Sequence, residues 1–158
     1  MALQSGHRFP VSMADLFPYG VLATNVEQAQ DFDEKTRART PARDKQTGEL
    51  VWVVTCVDRD EGEKVRAKDR NPQVTVTAPY QPVLDGEVAP GMKVYAVEFT
   101  GLTITPYINE GRGRPRLAYS IRATGMYAQG KAPADTAPPT GRSGGQAPQG
   151  DHPEGKVA

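Results

Sequence analysis

The stretch Gln73-Val74-Thr75-Val76-Thr77-Ala78 sets valines on one face of an extended chain and threonines on the other. That period of two is the pattern of a half-buried β-strand, and a helix cannot use it. Leu102-Thr103-Ile104-Thr105-Pro106-Tyr107 alternates again. Glu49-Leu50-Val51-Trp52-Val53-Val54-Thr55-Cys56-Val57 is the strongest strand, rich in β-branched residues and too short for a helix of comparable burial. Residues 19–26 read as a first strand. Residues 92–99 read as another, with Tyr95, Val97 and Phe99 on one face, and the last strand puts Leu117, Tyr119 and Ile121 inward. No segment of helix length is periodic. Ser12-Met13-Ala14-Asp15-Leu16-Phe17 offers one capped turn, with an acid three positions after the capping serine and Pro18 as its stop.

Turn chemistry separates these runs: Asp44-Lys45-Gln46-Thr47-Gly48, the charged residues 58–63, the prolines 79, 82 and 90, and Asn109-Glu110-Gly111-Arg112-Gly113. Gly101 marks a kink or bulge. Residues 28–41 are polar and charged and receive no element. The expected fold is all-β: a small antiparallel barrel of five or six strands, OB-like, over residues 1–128. A β-sandwich is the alternative. Residues 129–158 are mostly Gly, Pro, Ala, Gln, Ser and charged residues, with Val157 the only large aliphatic. Such a segment buries too little apolar surface to offset its ordering entropy, so a disordered tail is expected.

The single cysteine, Cys56, leaves no disulfide within one chain and is expected as a buried strand residue. The N-terminus has no apolar stretch of signal-peptide type, and no run approaches the ~20 apolar residues of a membrane helix. The expectation is a cytoplasmic protein with no membrane association. His7 and His152 lie at opposite ends, and neither a nucleophile elbow nor a phosphate loop is present. Gly111-Arg112-Gly113 lacks the third glycine of a dinucleotide site. No catalytic residue, metal or cofactor is therefore expected, and the chain is read as a non-enzyme.

Formal net charge is zero, with 19 basic and 19 acidic residues. The arrangement is uneven. Most cations outside residues 129–158 fall in three segments: Lys35 with Arg37, Arg39, Arg43 and Lys45; Lys64 with Arg66, Lys68 and Arg70; and Arg112 with Arg114, Arg116 and, further along, Arg122. Acids gather elsewhere, at Asp31-Phe32-Asp33-Glu34 and at residues 58–63. Alternate residues of an extended chain point the same way, so residues 64–70 would form a charged row about 20 Å long, able to track phosphates. The twelve arginines and lysines from Arg37 onward in those segments are the expected DNA-binding residues. The competing account is solubility and edge protection, which also place Lys and Arg on turns and outer strands. Aromatic stacking platforms would favour nucleic acid. Trp52, Tyr80, Tyr107 and Tyr119 are the candidates, with Trp52 and Tyr119 expected in the core.

Three motifs carry a resemblance: residues 42–52, ARDKQTGELVW; residues 99–107, FTGLTITPY; and residues 113–126, GRPRLAYSIRATGM. With Phe9-Pro10-Val11 and Phe17-Pro18-Tyr19-Gly20, the chain resembles the plasmid replication, integration and excision activators (Pra-type) of actinobacterial integrative elements. The resemblance covers nearly all of residues 8–126. It implies a regulator that raises expression of the element's replication, excision and integration genes, and it assigns no functional residue. No helix-turn-helix pattern is present. DNA would then be read by a β-ribbon, bound as a single strand at an origin, or reached through a replication initiator or the transcription machinery.

Overall fold

Burial alternates along the two central strands as their sequences require. In β5 (Val51–Asp58) the buried residues are Trp52, Val54 and Cys56, with Val51 also covered. In β6 (Gln73–Thr77) Val74 and Val76 are fully buried. β2 (Val21–Gln28) buries Val21, Ala23 and Val26. Its spacing changes from two to three because the register against β5 shifts between Ala23 and Asn25. The extra residue, Thr24, donates its hydroxyl to the Thr55 carbonyl at 3.2 Å. A bulge of this kind bends its strand and tightens the twist. A computed structural model describes residues 3–62, 70–111 and 113–133.

The C-terminal part of the fold is one long hairpin. β7 (Tyr95–Thr100) pairs with β10 (Gly125–Ala128), and β8 (Thr103–Asn109) pairs with β9 (Arg116–Ala123). Thr100 faces Gly125 and Thr103 faces Arg122, so both halves keep one register across the interruption. The expected feature at Gly101 is therefore a kink, with no inserted residue. Gly101 takes φ +59°, and a Cβ there would collide with the Thr124 side chain. Thr124 donates its backbone N–H to the Thr100 carbonyl at 2.9 Å, holding the bend from the other strand. Leu102, just past the kink, turns into the core.

With β1 at Phe9–Pro10, the strand order is β1-β8-β9-β6-β5-β2-β7-β10, a curled eight-stranded sheet in which β10 returns into contact with β6. The all-β expectation holds in this form. Two details differ. The strands are not all antiparallel, because β6 runs parallel to β9, Val74 facing Ile121 and Val76 facing Ala123. The intervening hairpin arm carries the chain back to the right end without any helix. Residues 28–41, left without an element, contain a small separate hairpin, β3 (Gln30–Phe32) with β4 (Arg39–Pro41), exposed throughout. Its polar composition hides it, because neither face packs on the core.

Phe17, Val21, Val54, Val74, Val76, Val97, Phe99 and Leu102 belong to one buried cluster inside the curl. β1 (Phe9–Pro10) lies on β8, and α1 (Met13–Leu16) is the single expected turn, its Ser12 Oγ accepting the Asp15 N–H at 3.0 Å. Residues 129–133 stay attached to the sheet: Gln129 N–H donates to the Ala96 carbonyl at 3.1 Å and Ala132 N–H to Glu98 Oε1 at 2.8 Å. The remainder of the expected tail, residues 134–158, lies outside the described residues. Among the described residues no helix is long and apolar enough to cross a membrane.

Candidate nucleic-acid interface

The β8–β9 ribbon outruns its neighbours. β6 begins only at Gln73, and its first recorded pair with β9 is Val74 with Ile121. On the other edge, β1 reaches no further than Ile104. Beyond that line, among the described residues, the two strands pair only with each other, through Tyr107 and Ala118 to Asn109 and Arg116. Apolar side chains there face solvent: Ile108 is 58% exposed, Leu117 60%, Tyr107 48% and Tyr119 52%. This corrects the expectation that Leu117 and Tyr119 face inward. Their alternation is that of a core strand, but among the described residues no strand covers them. Ile121, one step closer to the body, packs against the core as expected.

At the ribbon's tip Asn109 Oδ1 accepts the Gly111 N–H at 2.9 Å, closing the turn. Arg114 and Arg116 are exposed there. Residues 111–134 contain four arginines and one lysine and no carboxylate. Such a segment keeps a positive potential that nearby acids would otherwise cancel. At the ribbon's base lies a recess of about 420 Å³ lined by Asn71, Gln73, Thr75, Tyr107, Tyr119, Ser120 and Ile121. Among the described residues its lining is tyrosine, neutral polar side chains and Ile121, with no acid.

One buried carboxylate joins two of the basic segments. The Asp44 side chain is fully enclosed and forms ion pairs with Arg8 at 3.0 Å and Arg122 at 3.7 Å. Asp44 Oδ1 also accepts the N–H groups of Gln46 (2.7 Å) and Thr47 (3.2 Å), which build the expected 44–48 turn. Burial pushes this carboxyl up, but the Gln46 hydrogen bond, the Arg8 guanidinium and the Thr47 hydrogen bond outweigh it and hold the carboxyl below its ordinary value. Arg43 and Lys45 flank Asp44 in the chain, and both are exposed. Four cations thus surround or flank one anion. Arg8 belongs to this group although its isolated position in the sequence gives no sign of it.

The twelve expected DNA-binding residues divide accordingly. Arg37 and Arg39 sit on the exposed β3–β4 hairpin, Arg37 with φ +54°. Arg43 Nη1 donates to the Gly48 carbonyl at 3.0 Å, so it braces its own turn. Arg114 and Arg116 extend along the ribbon. Arg122 is half-buried and shared with Asp44, which leaves it less available to a phosphate than the sequence suggests. Arg70 is half-buried, and its carbonyl accepts the Asp58 N–H at 2.8 Å. Lys64, Arg66, Lys68 and Arg112 lie outside the described residues, and with them the proposed charged row.

Of the four aromatic candidates, Trp52 is core as expected, with Nε1 donating to the Ala78 carbonyl at 3.0 Å, and Tyr80 is exposed. Cys56 is buried among strand residues, and burial pushes its thiol up to about 12. A second, apolar recess of about 500 Å³ lies between the N-terminal segment and the kink, lined by Pro10, Val11, Met13, Phe99 and Leu102 among others, with Glu98 the only ionisable group among its described residues. Comparison of the chain with family models, curated proteins and solved structures returned no match.

Proposed function

We propose that the chain is a DNA-associating activator of an integrative element's replication, excision and integration, acting by binding and not by catalysis. In this reading the β8–β9 ribbon and the adjoining face of β6 meet DNA in the cytoplasm. The observation that carries it is the acid-free arginine run displayed on a ribbon that projects past the sheet. The regulatory role rests on the resemblance of residues 8–126 to the Pra-type activators.

Strand order adds support. If β7–β8 and β9–β10 are each counted as one bent strand, five strands follow in the order β2, β5, β6, β9–β10, β7–β8, and β7 pairs with β2 again. This favours a five-stranded OB-like barrel. Oligonucleotides contact such barrels through the loop between the first and second strands and that between the fourth and fifth. Here those loops are residues 29–50 and 110–115, which hold the first basic segment and the centre of the third. A partner-mediated route is the second reading, and the apolar recess near Met13 favours it, its described lining being uncharged apart from Glu98.

A salt titration against single- and double-stranded DNA tests the first reading. Binding at low salt should weaken steeply as salt rises. Replacing Arg114 and Arg116 together by Ala should flatten the slope by about one unit for each phosphate contact removed. No binding to either form at low salt would remove direct DNA contact and leave the partner-mediated route. The regulatory claim is tested in cells carrying the element, where the protein should crosslink to a defined region of its DNA.

A further inference from the structure

We infer that the recess at the base of the ribbon is a stacking site for an unpaired nucleobase, so that the protein prefers single-stranded to duplex DNA. The inference rests on the DNA reading above and specifies which part of a nucleic acid is recognised, and where.

Its volume of about 420 Å³ fits within the roughly 300–1,000 Å³ of small-ligand sites. Two tyrosines line it from paired strands. Tyr107 lies opposite Ala118, and Tyr119, the next residue on β9, lies opposite Pro106. Cross-strand partners share a face, so Tyr107 stands on the side of Ala118, Ser120 and Thr75, whereas Tyr119 stands on the side of Pro106 and Ile121; Tyr107 is 48% exposed, which leaves its ring free for a ligand. The remaining polar lining is Asn71, Gln73, Thr75 and Ser120. These amides and hydroxyls both donate and accept, as the edge of a base does. None of the four side chains takes a hydrogen bond from, or gives one to, another described residue. Among the described residues the lining is therefore neutral, with Tyr107 as its aromatic side.

Cations stand at its border. Arg70 precedes Asn71 in the chain, Arg122 faces Thr75 across the parallel pair, and Arg116 lies three residues before Tyr119. A flexible strand can place its phosphates near these groups and turn one base inward. In a duplex the bases are already stacked and paired, and extracting one costs free energy. Single strands need no such step, and aromatic stacking accepts any base because each has a π-face.

The test uses the full chain and fluorescence anisotropy with a labelled oligothymidylate of about 16 nucleotides, a matched abasic strand and a matched duplex. The wild type should bind the thymidylate at least about fivefold, and up to about a hundredfold, more tightly than the abasic strand. Tyr107→Ala with Tyr119→Ala should lose that advantage while keeping the salt slope. Tyr107→Phe with Tyr119→Phe should keep both. Equal binding of abasic and base-bearing strands by the wild type would overturn the stacking site while leaving the DNA reading intact. So would an unaltered affinity in the Ala pair alongside a weakened Arg114→Ala, Arg116→Ala protein. If the wild type binds none of the three DNAs at low salt, both readings fail. The abasic comparison needs no variant, so a folding defect in the Ala pair cannot obscure the answer.

Discussion

The two halves of the C-terminal hairpin share one register and one alternation of apolar residues, yet they have opposite surroundings. In the inner half Val97, Phe99, Ala123 and Ala128 are buried. In the outer half Ile108, Leu117, Tyr107 and Tyr119 face solvent. The difference is in the neighbours. β2 and β6 flank the inner half, and among the described residues no strand pairs beside the ribbon beyond Ile121. A period of two specifies that a strand has an apolar face, but the lengths of adjacent strands decide whether that face is covered. An outer half that retains exposed Tyr, Ile and Leu is the surface on which the proposed DNA contact rests.

The largest effect should come from the inner half. Phe99→Ala removes a buried ring from the main cluster and should cost about 3–5 kcal/mol, read by chemical denaturation. A cost below about 1 kcal/mol would mean that the inner half is not the core it resembles, and the contrast would collapse.

A smaller effect should come from the junction between the ribbon and the 44–48 turn. Asp44→Asn keeps the shape but removes the anion that Arg8 and Arg122 share, and should cost about 2–3 kcal/mol at neutral pH. The sign with pH follows from the lowered carboxyl. A group whose folded value is depressed contributes fully above its unfolded value and loses that contribution as pH falls through the folded value. Wild type and Asp44→Asn should therefore differ most above about pH 4 and converge at lower pH. A gap that stays constant down to strongly acid pH would show that the ionised carboxylate is not what holds the junction.

These same features mark how far the sequence can be read. Val74 and Val76 alternate with threonines, and their burial follows directly. β5 and the Ser12-capped turn are equally plain, because each signal is local. The bulge at Thr24 is hidden, since three-residue spacing between Ala23 and Val26 appears only against a partner strand. The parallel pairing of β6 with β9 joins residues more than forty positions apart and leaves no local trace. The site is half legible. The arginines of the ribbon stand out by clustering, whereas Arg8 and the lining residues Asn71 and Gln73 gain meaning only from what the fold brings beside them.

The smallest effect sharpens the comparison most. Ile108→Ser with Leu117→Ser should cost only about 0.5 kcal/mol each in an isolated chain, because both side chains are already more than half exposed and removing them opens no cavity. The same pair of changes in the inner half would be several times more costly. The outcome also bears on what uses the outer surface. If the doubly substituted protein melts like the wild type at every protein concentration, the apolar face of the ribbon is free in the unliganded chain and available to a ligand. If the substitutions cost 2 kcal/mol or more, and the wild-type midpoint rises with protein concentration, a second copy covers the face. The inner and outer halves would then both be buried, one by its own sheet and one by another molecule.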